Sequence, residues 1–456
     1  IRDSNEKATF DLFFRQKGQM NYAVAAGLEQ AIEYIENLGF TDEDIRYLKG
    51  LNTFTDDFLE YLRGLKFTGD IYSVREGEIV FPMEPIMIVR APLIEAQLVE
   101  TALLNIINHQ TLIATKASRV TAAAGEGKVV EFGLRRAQGP DAGIYGSRAS
   151  IIGGAFATSN VLAAKMFGIA PKGTHSHSWV LSYPTELDAF NAFADIYPDS
   201  CLLLVDTYDT LRSGIPNAIK VFDRLKKEGH KPLGIRLDSG DLAYLSKKAR
   251  QMLDAAGHSD AVIFVSNDID ENVVNALNTQ GARIDTYGVG TKLITSEDMP
   301  SLGGVYKLAE IERDGKAVPR LKKSDSIEKI TNPGFKTVYR IYEKDSGKAF
   351  ADLIALKDEK IEKPLTLTHE TERWKKTELA DYDKKELLVK IFDGGKLIYD
   401  IPSLSVSSDY RKKELSLFWD EYTRLNNPHI YKVDLSDGLY ALKQKLLLGE
   451  AGGGRK

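Results

Sequence analysis

Cysteine is nearly absent from this 456-residue chain: Cys201 is the single one. That excludes a disulfide framework and any thiolate metal site, and it fits a reducing compartment, so a cytoplasmic protein is expected. Cys201 itself opens an apolar run and reads as a small buried hydrophobe. No apolar stretch is long enough to cross a bilayer, and no signal-peptide pattern occurs. A charge surplus is missing too. The 60 Lys plus Arg against 65 Asp plus Glu leave a net charge of −5, which gives no reason to expect a nucleic-acid or membrane partner. Internal repeats and low-complexity tracts are likewise absent, apart from a succession of short apolar runs. With 43% hydrophobic residues, the chain can bury a large core, arranged as two domains or as a barrel with an added layer.

Histidine is scarce as well, and this scarcity is informative. Two of the seven histidines sit together in Gly173-Thr174-His175-Ser176-His177-Ser178-Trp179. A neutral imidazole is suited to accept a phosphoryl group or a proton near pH 7, and the small hydroxyl residues around it leave room for a phosphate. The same alternation also fits the exposed face of an ordinary strand end, so the segment needs its context.

That context is a series of apolar runs that stop abruptly at polar, acidic or glycine residues: LLLVDTYDTLRSG, GIRLDSGDL, VIFVSNDID and IDTYGVGT. Helical patterns such as Pro216 to Gly229 and Ala243 to Gly257 separate them. The series reads as repeated βα units whose strands are buried on both faces. In a parallel barrel the chemistry gathers at the C-terminal strand ends. Asp206, Asp209, Arg236, Asp238, Asn267, Asp268, Gly288, Gly290 and Thr291 are then expected to be neighbours.

Taken with EAQLVETALLNIINHQTLIATKASRV, EFGLRRAQGPDAGIYGSRAS, GGVYKLAEI and NPGFKTVYRIY, these segments resemble the nicotinate phosphoribosyltransferase family. The likeness runs from EKATFDLFFR to about residue 342. It rests on the ordered set, because a lone GVG or DSG is common. It implies an α/β architecture: an irregular parallel α/β barrel beside an α+β sheet domain formed by the N- and C-terminal parts. The expected divisions are 1–124 for the N-terminal sheet domain, 125–310 for the barrel with the active site, and 311–456 for the part packing back on the first.

The resemblance further implies transfer of phosphoribosyl from phosphoribosyl pyrophosphate to nicotinate, coupled to ATP. His177 rather than His175 aligns with the family's phosphorylated histidine, and Asp206 is expected to orient its ring. Thr174, Arg236, Arg135 and Phe132 are assigned to nicotinate; a guanidinium suits its carboxylate, and Phe132 suits its ring. Asp238, Asn267, Gly288, Gly290 and Thr291 are assigned to phosphoribosyl pyrophosphate, with backbone N–H groups before a helix start suiting the 5'-phosphate. Lys116 and Arg119, read as lying near a helix end, are candidates for pyrophosphate or plain helix-end cations. Arg136 and Arg148 read as surface or structural arginines.

Mg2+ is implied by the phosphates rather than by any ligand motif. The family likeness also implies a homodimer and a preceding segment whose Tyr stacks on the pyridine. Other readings are a nicotinamide phosphoribosyltransferase, a sugar-phosphate lyase or isomerase, and a phosphate-binding barrel without catalysis. Near the C-terminus a helix from Lys412 to Asn426 is expected to close the ordered part, with Gly452 to Gly454 in a loose tail.

Overall fold

The computed structural model describes residues 6–15, 20–326 and 329–449; the glycine tail at 452–454 lies outside them. Two compact units result, one of residues 112–300 and one of residues 1–111 with 301–456. The division falls inside the helix Glu100–Ala124.

The 112–300 unit carries six parallel strands: β1 (Lys128–Glu131), β2 (Ala157–Thr158), β3 (Leu202–Leu204), β4 (Gly234–Leu237), β5 (Val262–Ser266) and β6 (Thr286–Val289). Their order is β2-β1-β6-β5-β4-β3, with every neighbouring pair parallel. Helices follow the strands, among them Pro140–Ile152, Ile215–Lys227, Leu242–Ala255 and Glu271–Thr279. The strands are short and almost wholly buried because helices cover them, which is why they read as continuous apolar runs rather than alternating ones. Aspartates just past the strand ends start several helices: Asp241 accepts from Tyr244 N–H, and Asp270 from Val273 N–H. Such caps satisfy backbone donors that a helix start leaves unpaired.

The sheet's two edges, β2 and β3, are not paired with each other. The histidine segment spans the gap. Pro171 bridges to Thr158, and Lys172 N–H donates to Thr158 O at 2.9 Å. On the far side the backbone N–H of Leu204 donates to Nε2 of His175 at 3.1 Å. A ring nitrogen thus stands where the carbonyl of a further strand would, and the irregular barrel expected from the sequence closes through a side chain.

The other unit joins both ends of the chain. A seven-stranded antiparallel sheet orders Lys316–Pro319, Gly304–Arg313, Lys7–Phe14, Met87–Pro92, Asp70–Ser73, Val389–Asp393 and Lys396–Leu397. A four-stranded sheet is built from Lys336–Glu343, Ala349–Leu356, Tyr382–Glu386 and Lys432–Leu435. The α+β layer made from the two chain ends is therefore as expected. The chain's close is not. Helices Leu404–Ser416 and Asp420–Thr423 replace the single helix expected over 412–426, and the strand Lys432–Leu435 and a helix Asp437–Leu448 follow. The turn-like LSDG stretch hid that last helix: Ser436 is its cap, accepting from Leu439 N–H.

Candidate active site

A cavity of about 630 Å³ opens at the C-terminal ends of the parallel strands, within the size range of small-molecule sites. Its wall includes Phe132, Arg135 and Arg136 after β1, Thr174 and His177 from the closing segment, Arg236 and Asp238 at β4, Asn267 and Asp268 after β5, and Gly288, Gly290 and Thr291 at β6. The stopping points of the apolar runs do converge. Asp206 and Asp209 are not among the lining residues. Arg136, read as a surface or structural arginine, is exposed and also lines the cavity.

Arg236 is the best-held cation of the site. Its Nε donates to Ser266 Oγ, one terminal nitrogen to Thr174 Oγ1 and the other to Asp238 Oδ1, each at 2.8 Å. A guanidinium has five N–H groups, so two remain without a protein acceptor. Phe132 lies under the same guanidinium, 5.5 Å from ring centre to Cζ, and stacks on Phe264. One face of the cavity thus joins an aromatic surface to a cation with free donors. Asp238 also takes a short hydrogen bond from Ser266. Burial pushes its carboxyl up, but the Ser266 hydroxyl and the Arg236 charge outweigh this and hold it below the usual carboxylate range.

His177 begins the short helix His177–Leu181 and is partly exposed to the cavity. Its Nδ1 lies 3.0 Å from Thr207 Oγ1, and its Nε2 lies 3.6 Å from Asp238 Oδ2. The expected contact with Asp206 is not made. Asp206 Oδ2 instead accepts from Asp238 N–H at 2.9 Å and from Ser239 Oγ at 2.6 Å, so it shapes the turn that carries Asp238. One residue of register separates the two readings: in Val205-Asp206-Thr207, Thr207 is the residue that reaches the imidazole.

His175 is buried against Phe193 and Phe190. Burial pushes its imidazole down to about 4, and its Nε2 is occupied as an acceptor from Leu204 N–H. A neutral ring with one nitrogen engaged is a fixture of the barrel wall. Lys116 and Arg119 are mid-helix rather than at a helix end, because the helix runs on to Ala124. Both are committed to Glu271, at 2.7 and 2.9 Å, and Lys116 also to Asp298; neither lines the cavity. Asp209 caps the turn Thr210–Gly214 through the backbone N–H groups of Leu211 and Arg212.

Gly288, within β6, sits at a tight approach. At Gly288 a Cβ would lie 2.7 to 2.9 Å from the rings of Phe264 and Phe132, so only glycine leaves that floor open. Asn267 holds φ at +115°, a strained value that places its side chain to accept from Asp268 N–H. Among the described residues the cavity wall contains no lysine, the side chain on which a Schiff-base lyase would depend. Beyond the residues singled out from sequence, Thr207, Ser266, Ser159 and Ser178 belong to the site's walls and contacts. Isolated hydroxyl residues carry no sequence signal that marks them out.

Residues 2–108 match the model of the nicotinate phosphoribosyltransferase N-terminal domain, 127–340 that of the nicotinate phosphoribosyltransferase family, and 335–443 that of its C-terminal domain. The Bacillus subtilis nicotinate phosphoribosyltransferase is 52% identical over 445 residues, covering 96% of this chain and 90% of the relative. The human enzyme of the same name is 32% identical, over 98% of this chain and 94% of its own length. The crystal structure of human nicotinic acid phosphoribosyltransferase superposes with a TM-score of 0.84 at 30% identity, covering 97% of this chain and 96% of that one. A nicotinate-nucleotide pyrophosphorylase from Pyrococcus furiosus shares the fold, with a TM-score of 0.68 at 22% identity over 92% of this chain and 91% of that one. On the three matched models, the sequence identity and this superposition, the chain belongs to the nicotinate phosphoribosyltransferase family.

Proposed function

We propose that the protein transfers phosphoribosyl from phosphoribosyl pyrophosphate to nicotinate, giving nicotinate mononucleotide and pyrophosphate in NAD salvage, and that the transfer is coupled to ATP through a phosphohistidine at His177. The observation that carries the reading is Arg236: a guanidinium fixed by Ser266, Thr174 and Asp238, lying over Phe132, with two N–H groups still free. Nicotinate is a flat ring bearing a carboxylate. An aromatic floor and a charge-assisted donor pair are what such a molecule requires.

The reaction asks little covalent work of the protein beyond His177. The sugar must be clamped, the departing pyrophosphate neutralised, and the ring nitrogen presented to the anomeric carbon. Arg135 and Arg136 supply positive charge to the same cavity, and the Gly288–Thr291 turn offers close backbone approach for the 5'-phosphate. Among the described residues no group of three His, Cys, Asp or Glu side chains could hold a metal. A magnesium ion brought by phosphates needs only one or two carboxylates; Asp268 and Asp238 both line the cavity, and Oδ1 of Asp238 is already engaged by Arg236 and Ser266. Such an ion would neutralise phosphate charge.

In the coupling step the His177 imidazole attacks the terminal phosphorus of ATP and ADP departs. The phosphoryl group then adds negative charge beside the pyrophosphate site and alters the affinities there. Among the described residues no helix is long and apolar enough to cross a membrane. On the family likeness we propose a cytoplasmic homodimer as the working form. Incubation with γ-labelled ATP tests the assignment: the wild type should become acid-labile in its label, and His177→Ala should lose labelling and ATP hydrolysis yet retain slow transfer to nicotinate. Persistent labelling of His177→Ala would move the phosphoryl acceptor elsewhere.

A further inference from the structure

Glu131 ends β1 and is fully buried. Among the described residues no cation pairs with it; its partners there are neutral. Its Oε1 accepts a short hydrogen bond from Gly133 N–H. Its Oε2 lies 2.6 Å from Thr158 Oγ1 and 2.9 Å from Ser147 Oγ. Burial pushes the carboxyl above its usual range, and the bonds from Thr158, Gly133 and Ser147 offset this only in part. Each partner leads to the cavity. Gly133 joins Phe132 to Arg135, Thr158 precedes Ser159, and Ser147 belongs to the helix that follows the Phe132–Arg136 turn.

With an ionised side chain the hydroxyl protons do not serve every contact around Ser147. Ser147 Oγ is 2.8 Å from Gly143 O as well as 2.9 Å from Glu131, yet it has one proton. Thr158 Oγ1 accepts from Asn160 N–H at 3.0 Å and has one proton of its own. A carboxylic acid completes an unbroken series. Asn160 N–H donates to Thr158, Thr158 to Glu131 Oε2, the acid proton to Ser147, and Ser147 to Gly143 O. An ionised Glu131 leaves one of the two Ser147 contacts without a proton.

The turn is confined from the opposite side too, since a Cβ on Gly133 would lie 2.4 Å from Ile294 Cβ. We infer that Glu131 is a positioning residue that, as an uncharged carboxylic acid, pins the Phe132–Arg136 turn to the ends of β1 and β2 and thereby sets affinity for the base. This rests on nicotinate binding over Phe132. An uncharged acid also holds the turn without placing a second negative charge near the carboxylate of the substrate.

Steady-state kinetics of Glu131→Ala and Glu131→Gln test the inference. A wild type that does not turn over nicotinate refutes the reading of the site rather than the role of Glu131. With an active wild type, Glu131→Ala should raise the nicotinate KM about tenfold or more, and raise that for phosphoribosyl pyrophosphate by less. Glu131→Gln keeps one acceptor for Gly133, and its amide N–H groups donate to Thr158 and Ser147. The Thr158 proton can turn to Ser147 Oγ at 3.3 Å, so this variant should stay within about twofold of wild type. An unchanged nicotinate KM in Glu131→Ala overturns the role, and Glu131→Gln as damaged as Glu131→Ala overturns the uncharged form. If Glu131→Ala shows no cooperative thermal transition, Thr158→Val and Ser147→Ala decide. Each removes one link and should raise the nicotinate KM about threefold while still folding, and unchanged values in both overturn the inference.

Discussion

Two arginines, one in each unit, show how the same side chain becomes a lock or a receptor. Arg340 is wholly buried and donates to both oxygens of Asp352, to Glu78 and to the Ile79 carbonyl. Phe418 and Phe81 lie against its guanidinium. Arg236 is also flanked by a carboxylate and a phenylalanine, but hydroxyls take two of its three bonds, and two N–H groups face no protein acceptor. Arg340 is spent on the fold. Arg236 is held rigid by part of its donors so that the remainder can meet a ligand.

Removing the lock should have the largest effect. Arg340→Leu leaves Asp352 without its cation in a buried setting, and such a loss costs about 3–5 kcal/mol of stability. Urea unfolding should show that fall, while the nicotinate KM of the protein that remains folded should not change. A normal urea midpoint would mean the cluster rearranges around Lys385, which lies 3.0 Å from both Glu78 and Glu414.

Removing the receptor should give the converse. Arg236→Ala withdraws the proposed carboxylate partner, costing roughly 2–4 kcal/mol of binding, well over tenfold in nicotinate KM. The thermal midpoint should move little, since the Ser266 and Thr174 hydroxyls and the partly exposed Asp238 carboxylate can be served by water entering the open cavity. Arg135→Ala should weaken both base and phosphoribosyl pyrophosphate. If both variants keep wild-type nicotinate kinetics, the carboxylate is bound elsewhere.

The barrel gap offers a comparison by pH. Burial pushes the His175 imidazole down to about 4; a contact with Ser176 O resists this, and the Arg236 and His177 charges reinforce it. An unfolded histidine titrates near 6.5, so between those values the unfolded chain binds more protons, and stability falls as pH falls through the interval by at most roughly 3 kcal/mol. His175→Gln still presents an acceptor to Leu204 N–H but cannot protonate. Its stability should decline less than that of wild type on going from neutral pH to about 4, and its labelling by ATP should persist. Equal declines would show that His175 is not the titrating group.

What the sequence made legible follows from the same physics. Buried parallel strands must be apolar and must end in polar residues, so β3 to β6 and the cluster Arg236, Asp238, Asn267, Asp268, Gly288 and Thr291 were readable from where apolar runs stop. Contacts at the level of single atoms were not. The run VDTYD marks a strand end, but it does not say which residue turns inward; the expectation fell on Asp206 because carboxylates orient histidines so often, and nothing in the run points to Thr207. Lys116 and Arg119 were misplaced because the apolar pattern of their helix gave no clear end. Glu131 carried the right signal, an acid closing an apolar strand, but a buried acid without a cation is uncommon enough that the pattern alone did not raise it. The side-chain closure of the barrel by His175 has no sequence signature.

The smallest expected effect separates Thr207 from its neighbour. A ring that accepts a phosphoryl group needs one nitrogen unprotonated and open, so Nδ1–H of His177 donates to the Thr207 oxygen, and the Nε2 lone pair, on the Asp238 side of the ring, is left as the nucleophile. Thr207→Val keeps the shape of the side chain and removes that one bond, worth about 1 kcal/mol, or roughly fivefold in the rate of phosphoryl incorporation from ATP. Asp206→Asn keeps an oxygen able to accept from Asp238 N–H and Ser239 Oγ, so its incorporation rate should stay within about twofold of wild type. Rapid-quench labelling of the two variants compares them directly. A slow Asp206→Asn beside a normal Thr207→Val would mean that the carboxylate swings to the imidazole when ATP is bound, and the orienting role would pass to Asp206.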